Sequence, residues 1–258
     1  MSLLFGKTYS DHPGMGRALL ALLLMGGAAP GMAAETGSSQ VIERFTFTDS
    51  PDADASDTLR DQGYEFKLDA EGLDLQFSGD GLVLETDSQR AGLIAREVNI
   101  EDVDRVRITW GVNEYPEGAD WAAGVYRVPI AVMISFGDKE IDSGSMFVPD
   151  VPYFVGLFLG EKEQEGHAYK ANYYHEGGRY FCQPCNPEPG ETITTVFNFD
   201  EVLTEQFDIS TSMPVSSVGI QMNTNDTQGS AKAFIQEIEF LSDGESSDRI
   251  VKSDQDER

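Results

Sequence analysis

Short apolar segments separated by turn sequences recur along most of the chain, and they constrain its fold more than any other feature. The segments are rich in β-branched and aromatic residues, and several alternate apolar with polar residues, which is typical of strands. The predicted strands are residues 73–77, 82–85, 105–110, 128–136, 154–159, 192–199, 218–222 and 233–241. Many short strands at this spacing indicate a β-sandwich or a barrel.

Turn sequences bound these segments, and helix signals are few. Glycine, aspartate, asparagine and serine, which favour turns, are concentrated at residues 78–81, 136–138 and 223–226. The best helix signal is Asp200, a possible N-cap for residues 201–207. The chain is therefore predicted to be almost entirely β, with few short helices.

The N-terminal residues have the pattern of a bacterial signal peptide. Lys7 and Arg17 precede an apolar run at residues 18–25. The small-residue segment that follows ends in an Ala-Ala pair, which suits cleavage by a signal peptidase. The apolar run is too short to span a bilayer, which needs about 20 apolar residues. We therefore expect residues 1–34 to be a signal peptide and the mature protein to be periplasmic or secreted.

The rest of the chain is predicted to be one domain followed by an acidic tail. Residues 35–241 contain no Pro/Ser-rich linker and no internal repeat, and a β-sandwich commonly exceeds about 200 residues in a single unit. Residues 242–258 are nearly all polar or charged, a composition typical of disorder.

The charge of the chain excludes two classes of partner. It has 45 acidic and 18 basic residues and a net charge of -27, which repels nucleic acid and anionic membranes. The acidic residues are spread along the chain, as expected of a solvated acidic surface. Acidic loops could also hold a structural calcium ion, because calcium prefers oxygen ligands.

Two parts of the chain resemble known families. Residues 218–222, a polar turn and residues 231–240 resemble the closing hairpin of galactose-binding-like jelly rolls. Residues 105–110, 114–120 and 126–136 are similar to DUF3047, an exported bacterial family of unknown function. The resemblance to galactose-binding-like jelly rolls implies that the fold is an all-β, jelly-roll β-sandwich. Domains of that kind commonly bind carbohydrate or act as accessory modules. The resemblance supports the fold more than any activity, because one fold hosts unrelated functions.

The sequence Cys182-Gln183-Pro184-Cys185 is the sharpest local motif. In an oxidising compartment, two cysteines this close most simply form one disulfide. A thioredoxin-like role would need a helix after the first cysteine, and the nearby prolines forbid it. A zinc site that combines both thiols with His167 or His175 is the alternative.

The loop at residues 115–126 offers the clearest functional hypothesis. Exposed rings on jelly-roll loops can stack on the apolar face of a sugar. We predict that Tyr115 and Trp121 are exposed and bind a glycan, with Asp120 and Arg127 as hydrogen-bonding neighbours. Trp110, on an alternating strand, is predicted to be a core residue. The alternative is that the loop rings only cap one end of the sandwich.

Two further hypotheses belong to other functional classes. Residues 169–174 resemble the catalytic strand of jelly-roll alginate lyases, and the resemblance implies that Tyr173 is the matching tyrosine. The second hypothesis is therefore a polysaccharide lyase or glycosidase that uses this segment, with Tyr173, His175 and Arg179 as the alternative catalytic residues. Residues 166–178 are expected to form a strand that leads into a hairpin. The third hypothesis is a structural envelope protein without a small ligand.

Two pairs of carboxylates have the spacing that glycoside hydrolysis requires. Residues two apart on a strand share a face, and hydrolysis of a glycosidic bond uses two carboxylates. Glu140 with Asp142, and Glu237 with Glu239, meet this spacing. A strand with a solvated polar face has the same pattern, which is the commoner cause.

Overall fold

A computed structural model of the chain describes residues 39–48 and 54–244. The predicted signal peptide at residues 1–34 lies outside the described residues, as does all of the predicted tail except residues 242–244. The signal peptide and the tail therefore stay predictions.

The described residues form twelve strands, two α-helices and one short 3-10 helix at Ala70–Gly72. The strands are β1 Gln40–Thr46, β2 Glu65–Leu68, β3 Asp74–Ser78, β4 Gly81–Asp87, β5 Ala91–Ile100, β6 Arg105–Glu114, β7 Val128–Ile141, β8 Val151–Gly160, β9 Gly178–Cys185, β10 Ile193–Asn198, β11 Val215–Asn223 and β12 Ser230–Ser242. The helices are α1 Ala55–Asp61 and α2 Phe199–Phe207.

The strands form two sheets of six strands each, and the fold is an all-β jelly-roll β-sandwich, as predicted. In the first sheet the order is β10-β6-β12-β4-β3, and β1 pairs with the C-terminal half of β12 beside β4. In the second sheet the order is β2-β5-β11-β7-β8-β9. All neighbours in the second sheet are antiparallel except β8 and β9, which are parallel.

The core lies between the inner faces of the two sheets, because alternate residues of each strand are apolar. On β11 the inner residues Val218, Ile220 and Met222 are buried, whereas the residues between them lie on the outer face. Trp110 is fully buried in this core, as predicted, and its Nε1 donates a hydrogen bond of 2.9 Å to Thr195 Oγ1. The buried indole therefore leaves no polar atom unpaired.

The eight predicted strands are all present, and two local predictions need correction. The second helix starts at Phe199 with Asn198 as its N-cap, so Asp200 lies in the first turn instead of capping it. Residues 166–177 form a loop and not a strand. Tyr169 makes only an isolated bridge to Tyr180, and the Tyr174 N–H donates to the backbone oxygen of Ser143 in the loop after β7.

Candidate functional site

Trp121 lies on the loop between β6 and β7, as predicted, but its side chain is buried. Only 5% of the residue is exposed. Its indole stacks on Phe158, with ring centroids 4.7 Å apart, and contacts the rings of Tyr126, Tyr169 and Tyr180 at 4.8 to 5.8 Å. The prediction that Trp121 is exposed is therefore wrong, since the ring packs on the outer face of the second sheet.

Hydrogen bonds fix the position of Trp121. The indole Nε1 donates to the backbone oxygen of Arg127 at 3.2 Å, and the backbone N–H donates to Glu163 Oε1 at 3.1 Å. The loop after β8, which contains Glu163, is thereby tied to the loop before β7. Trp121 is consequently the centre of a second apolar cluster that lies outside the main core.

The other three residues of the predicted loop site also hold the loop in place. The Tyr115 hydroxyl donates to the backbone oxygen of Pro187 at 2.9 Å, and Asp120 Oδ1 accepts a bond from the Ala123 N–H at 2.9 Å. Arg127 pairs with Asp226 in the turn before β12. The structure brings these residues to one end of the sandwich, but it uses their polar atoms in internal contacts.

Burial and charge both act on the Tyr115 hydroxyl. Burial raises its pKa, and the nearby carboxylates of Glu161 and Glu163 raise the pKa further, because negative charge disfavours a phenolate. The hydroxyl therefore stays protonated, and it serves as a hydrogen-bond donor at neutral pH.

The alternative catalytic residues do not line one groove. Tyr173 is 47% exposed and His175 is exposed, but Arg179 is buried, with 6% of its surface accessible. The guanidinium donates to the backbone oxygens of His175 at 2.8 Å and Gln206 at 3.1 Å. It thereby joins β9 to the C-terminal end of α2, and burial lowers its pKa.

Two cavities lie near these segments. One, of about 200 Å³, is lined by Asp142, Ser143, Gly144, Asn172, His175 and Glu176. Of the alternative catalytic residues, it includes His175. A larger one, of about 290 Å³, lies between α2 and strands β9 and β10 and contains no predicted site residue. Neither cavity is lined by Tyr173 or Arg179.

Cys182 and Cys185 form a disulfide, as predicted. Cys182 is fully buried on the outer side of β9, in the apolar cluster around Trp121. The disulfide excludes the alternative of a zinc site at these thiols. Within residues 39–48 and 54–244, no three His, Cys, Asp or Glu side chains are grouped so as to hold a metal ion. The calcium site stays a prediction.

The outer face of the second sheet is covered at one side and open at the other. The loops at residues 115–127 and 161–177 cover strands β8 and β9. Strands β5, β11 and β7 present small, polar and apolar residues that are only half-buried. We call this surface the open face and define it by Leu93, Ala95, Met133, Ser135, Ser217 and Gln221.

Strand register places the open-face residues side by side. Ser217 is paired with Ser135, and Gln221 with Leu93. Gly219 lies between Ser217 and Gln221 along the same face, where an added Cβ would come within 2.9 Å of the Leu93 side chain. The surface is therefore lowest along β11. Within the described part of the chain, the side chains of Ser135, Ser217 and Gln221 make no hydrogen bond.

Aromatic rings form one border of the open face. Tyr180 lies across Gly156, where a Cβ would come within 2.6 Å of its ring, and Gly156 is paired with Met133 of the open face. Tyr180 also contacts Phe154, with centroids 5.4 Å apart. Burial raises the pKa of Tyr180, so its hydroxyl stays protonated at neutral pH.

Sequence reasoning missed this face, although a signal for it exists. In β11 the outer residues Ser217, Gly219 and Gln221 are small or polar, and they alternate with apolar residues. A central strand with a polar outer row indicates an uncovered face. Strand β5, which carries Leu93 and Ala95, was not predicted at all.

No known protein family and no curated protein matches the chain, so the resemblance to DUF3047 stays a prediction. Solved structures similar to it include the potassium-bound carbohydrate recognition domain of Emp46p, at 10% identity and a TM-score of 0.38, covering 78% of this chain and 97% of that one. TmCBM61 in complex with β-1,4-galactotriose is 8% identical, with a TM-score of 0.33 and coverage of 76% and 97%. A cellulase derived from Cel12A of Rhodothermus marinus is 11% identical, with a TM-score of 0.39 and coverage of 78% and 96%.

At these identities and TM-scores, no position of the chain is matched to a binding or catalytic residue of those proteins. Function is therefore inferred from the geometry of the chain itself. Among the described residues, no helix is long and apolar enough to cross a membrane.

Proposed function

We propose that the protein is an exported, non-catalytic carbohydrate-binding module, and that its glycan lies on the open face of the second sheet. One observation carries the proposal: the side chains of Ser135, Ser217 and Gln221 make no hydrogen bond among the described residues, and they lie on the outer face of the paired strands β7 and β11. Export agrees with the predicted signal peptide and with the disulfide between Cys182 and Cys185.

The chemistry of the open face matches that of a sugar ring. A pyranose has an apolar C–H face, which packs on an aromatic or aliphatic side chain, and an edge of hydroxyl groups, which need hydrogen-bond partners. Leu93 and Met133 supply apolar surface, and Gln221 supplies both donors and acceptors. A strand-borne site also needs little ordering on binding, which reduces the entropic cost of association.

The same chemistry favours binding over catalysis. Serine hydroxyls and a glutamine amide bind sugar hydroxyls without exchanging protons with them. The nearest tyrosine, Tyr180, has its pKa raised by burial, so it does not supply a base at neutral pH. The open face therefore holds a glycan in place and does not cleave it.

A glycan array with the purified protein tests the proposal, run with and without calcium. We expect binding to at least one class of glycan, and we expect Gln221→Ala to abolish it without loss of stability, because Gln221 makes no internal side-chain bond. Gln76→Ala is the control, since Gln76 is an exposed glutamine on β3 of the first sheet, and its side chain bonds only to the neighbouring Asp74, at 3.3 Å. It should leave binding unchanged.

Three results would count against this function. The wild-type protein could bind no glycan, Gln221→Ala could bind as well as wild type, or the protein could release new reducing or unsaturated ends from the bound polymer. The last result would favour the lyase or glycosidase. Loss of all binding on removal of calcium would instead support the predicted calcium site.

A further inference from the structure

The loop between β7 and β8 exposes two neighbouring apolar side chains. Met146 is 95% exposed and Phe147 is 91% exposed. Scattered surface hydrophobics are common, but these two are adjacent and almost completely accessible to water. Burial of such a side chain in a complex removes apolar surface from water, which stabilises the complex. The pair is therefore a candidate contact surface, which we call the loop tip.

Hydrogen bonds at the base of the loop fix the loop tip. Ser143 is buried, and its hydroxyl donates to the backbone oxygen of Val148 at 2.7 Å. The Ser143 N–H donates to Asp150 Oδ1 at 2.9 Å. These bonds close the loop below Met146 and Phe147. The two side chains are therefore presented by an ordered loop, which lowers the entropic cost of a contact.

The loop tip is connected to the border of the open face through Tyr174. The Tyr174 N–H donates to the Ser143 backbone oxygen at 2.9 Å, and its hydroxyl donates to the Pro149 backbone oxygen at 3.0 Å. Its ring contacts Phe154 at 5.5 Å, and Phe154 in turn contacts Tyr180. A row of touching rings thus leads from the open face to the base of the loop. Tyr173, next in the chain, is 47% exposed.

Carboxylates lie beside both surfaces and outnumber the cations Lys67 and Lys139 there. Asp142 and Asp150 flank the loop tip, and both are exposed. Glu65 and Glu97 lie on the outer face of β2 and β5 at the other border of the open face, and Lys67 pairs with Glu65 at 3.2 Å. Fixed negative charge disfavours an anionic polymer or an anionic lipid. An uncharged ligand has no such penalty.

We infer that the ligand of the open face is a neutral polysaccharide chain long enough to reach the loop tip, where Phe147 and Tyr173 pack on additional sugar units. The inference rests on the proposed function, because it extends the same site. Its consequence is a dependence of affinity on chain length: a disaccharide occupies the open face alone, whereas a hexasaccharide also contacts the loop tip.

Calorimetric titration of the full protein tests this with cello-, xylo-, manno-, laminari- and galacto-oligosaccharides, each as disaccharide and hexasaccharide. We expect the best hexasaccharide to bind at least about tenfold more tightly than its disaccharide, the gain of one aromatic packing contact. Phe147→Ala should remove most of that gain and leave the affinity for the disaccharide unchanged. Val196→Ala is the control, since Val196 is an exposed apolar residue on β10 of the first sheet.

The outcomes separate this inference from the proposed function. Equal length dependence in wild type and Phe147→Ala would overturn the inference alone, as would tighter binding of polygalacturonate than of any neutral glycan. Binding of phosphatidylcholine vesicles that is lost in Phe147→Ala would also overturn it and assign the loop tip to a lipid surface. Failure of wild type to bind any of these sugars would overturn the proposed function, and the inference with it.

Discussion

The indole of Trp121 lies nearly parallel to the ring of Phe158, with 4.7 Å between centroids and 19° between planes. Phe158 is fully buried on the outer face of β8. The contact fixes the loop before β7 on the second sheet. Trp121 thereby belongs to the scaffold that shapes the border of the open face, and it is not available to a ligand.

Truncation of Trp121 should destabilise the protein. Trp121→Ala removes the centre of the second apolar cluster, and the loss of a buried tryptophan typically costs about 3 to 5 kcal/mol. Urea unfolding measures the change. Tyr173→Ala is the control at an exposed ring and should alter the free energy of unfolding by less than about 0.5 kcal/mol. Equal stability of Trp121→Ala and wild type would mean that the ring is not a packing element.

The strands and the main core could be predicted because their residues alternate in polarity. Strand β12 is the clearest case, with Ile238 and Phe240 inside and Glu237 and Glu239 outside. Strand β5 was missed because its central residues Ala95, Arg96 and Glu97 interrupt the apolar pattern. The alternation signal depends on side chains alone, so it fails where a charged residue such as Arg96 takes an inner position and a small residue such as Ala95 takes an outer one.

The environment of Trp121 could not be predicted from its neighbours in the chain. A loop with proline and glycine is usually exposed, and Ala122 and Gly124 of this loop are indeed exposed. The cover on Trp121 comes from Phe158, Tyr169 and Tyr180, which are far away in sequence and are brought to it by the pairing of β7, β8 and β9. Only tertiary structure shows that contact.

The disulfide predicts the thiol content of the protein. Titration of the unfolded, unreduced protein should find no free thiol, and reduction should release two thiols, from Cys182 and Cys185. Because the closed loop is very short, its loss should cost only about 2 kcal/mol by the chain-entropy estimate. Two free thiols with stoichiometric zinc in the unreduced protein would contradict the disulfide.

Glu239 should be the most costly carboxylate to remove. Its side chain is buried on β12 and bonds to Arg44 and, at 2.7 Å, to Arg107. Glu239→Ala leaves two partly exposed arginines without this partner, and the loss of hydrogen bonds to charged groups costs about 1.5 to 3 kcal/mol. Glu237→Ala, two residues earlier, is the matched control. Glu237 pairs with Arg44 nearer the surface, so its removal should cost less than about 1 kcal/mol.

The same comparison tests the hypothesis of a catalytic carboxylate pair at these positions. Glu239 is held between arginines and is inaccessible, so it should be a structural residue. Glu237→Ala should therefore leave glycan binding unchanged as well. A loss of glycan binding in that variant, with stability retained, would instead place a ligand on the first sheet.

Two tyrosines should respond in opposite ways to loss of the hydroxyl. Within the described residues, the buried Tyr64 hydroxyl has no hydrogen-bond partner, so Tyr64→Phe should leave stability unchanged or increase it, since an unsatisfied buried group costs about 1 to 3 kcal/mol. Tyr115→Phe loses the bond to Pro187 and should cost about 0.5 to 1.5 kcal/mol. Thermal unfolding of both variants checks this, and a large loss in Tyr64→Phe would show that the hydroxyl has a partner.

Stability should fall at alkaline pH because of the buried tyrosines. Burial raises the pKa of Tyr64, Tyr115 and Tyr180 in the folded protein, whereas an unfolded tyrosine ionises near pH 10, about its model value. Above about pH 10 the unfolded chain therefore releases protons that the folded chain retains, and the free energy of unfolding decreases as pH rises. Below that pH both states keep these protons, and the tyrosines contribute no pH dependence.

Urea unfolding between pH 8 and pH 11, roughly spanning the onset of tyrosine ionisation, measures this effect. The double variant Tyr64→Phe, Tyr180→Phe should show a smaller decrease than wild type over that range, because two of the tyrosines with a raised pKa no longer titrate. An identical decrease in both proteins would show that other groups cause it. Since Tyr180 borders the open face, glycan affinity should stay constant up to the pH at which unfolding begins, as expected of a site that binds through neutral hydroxyl and amide groups.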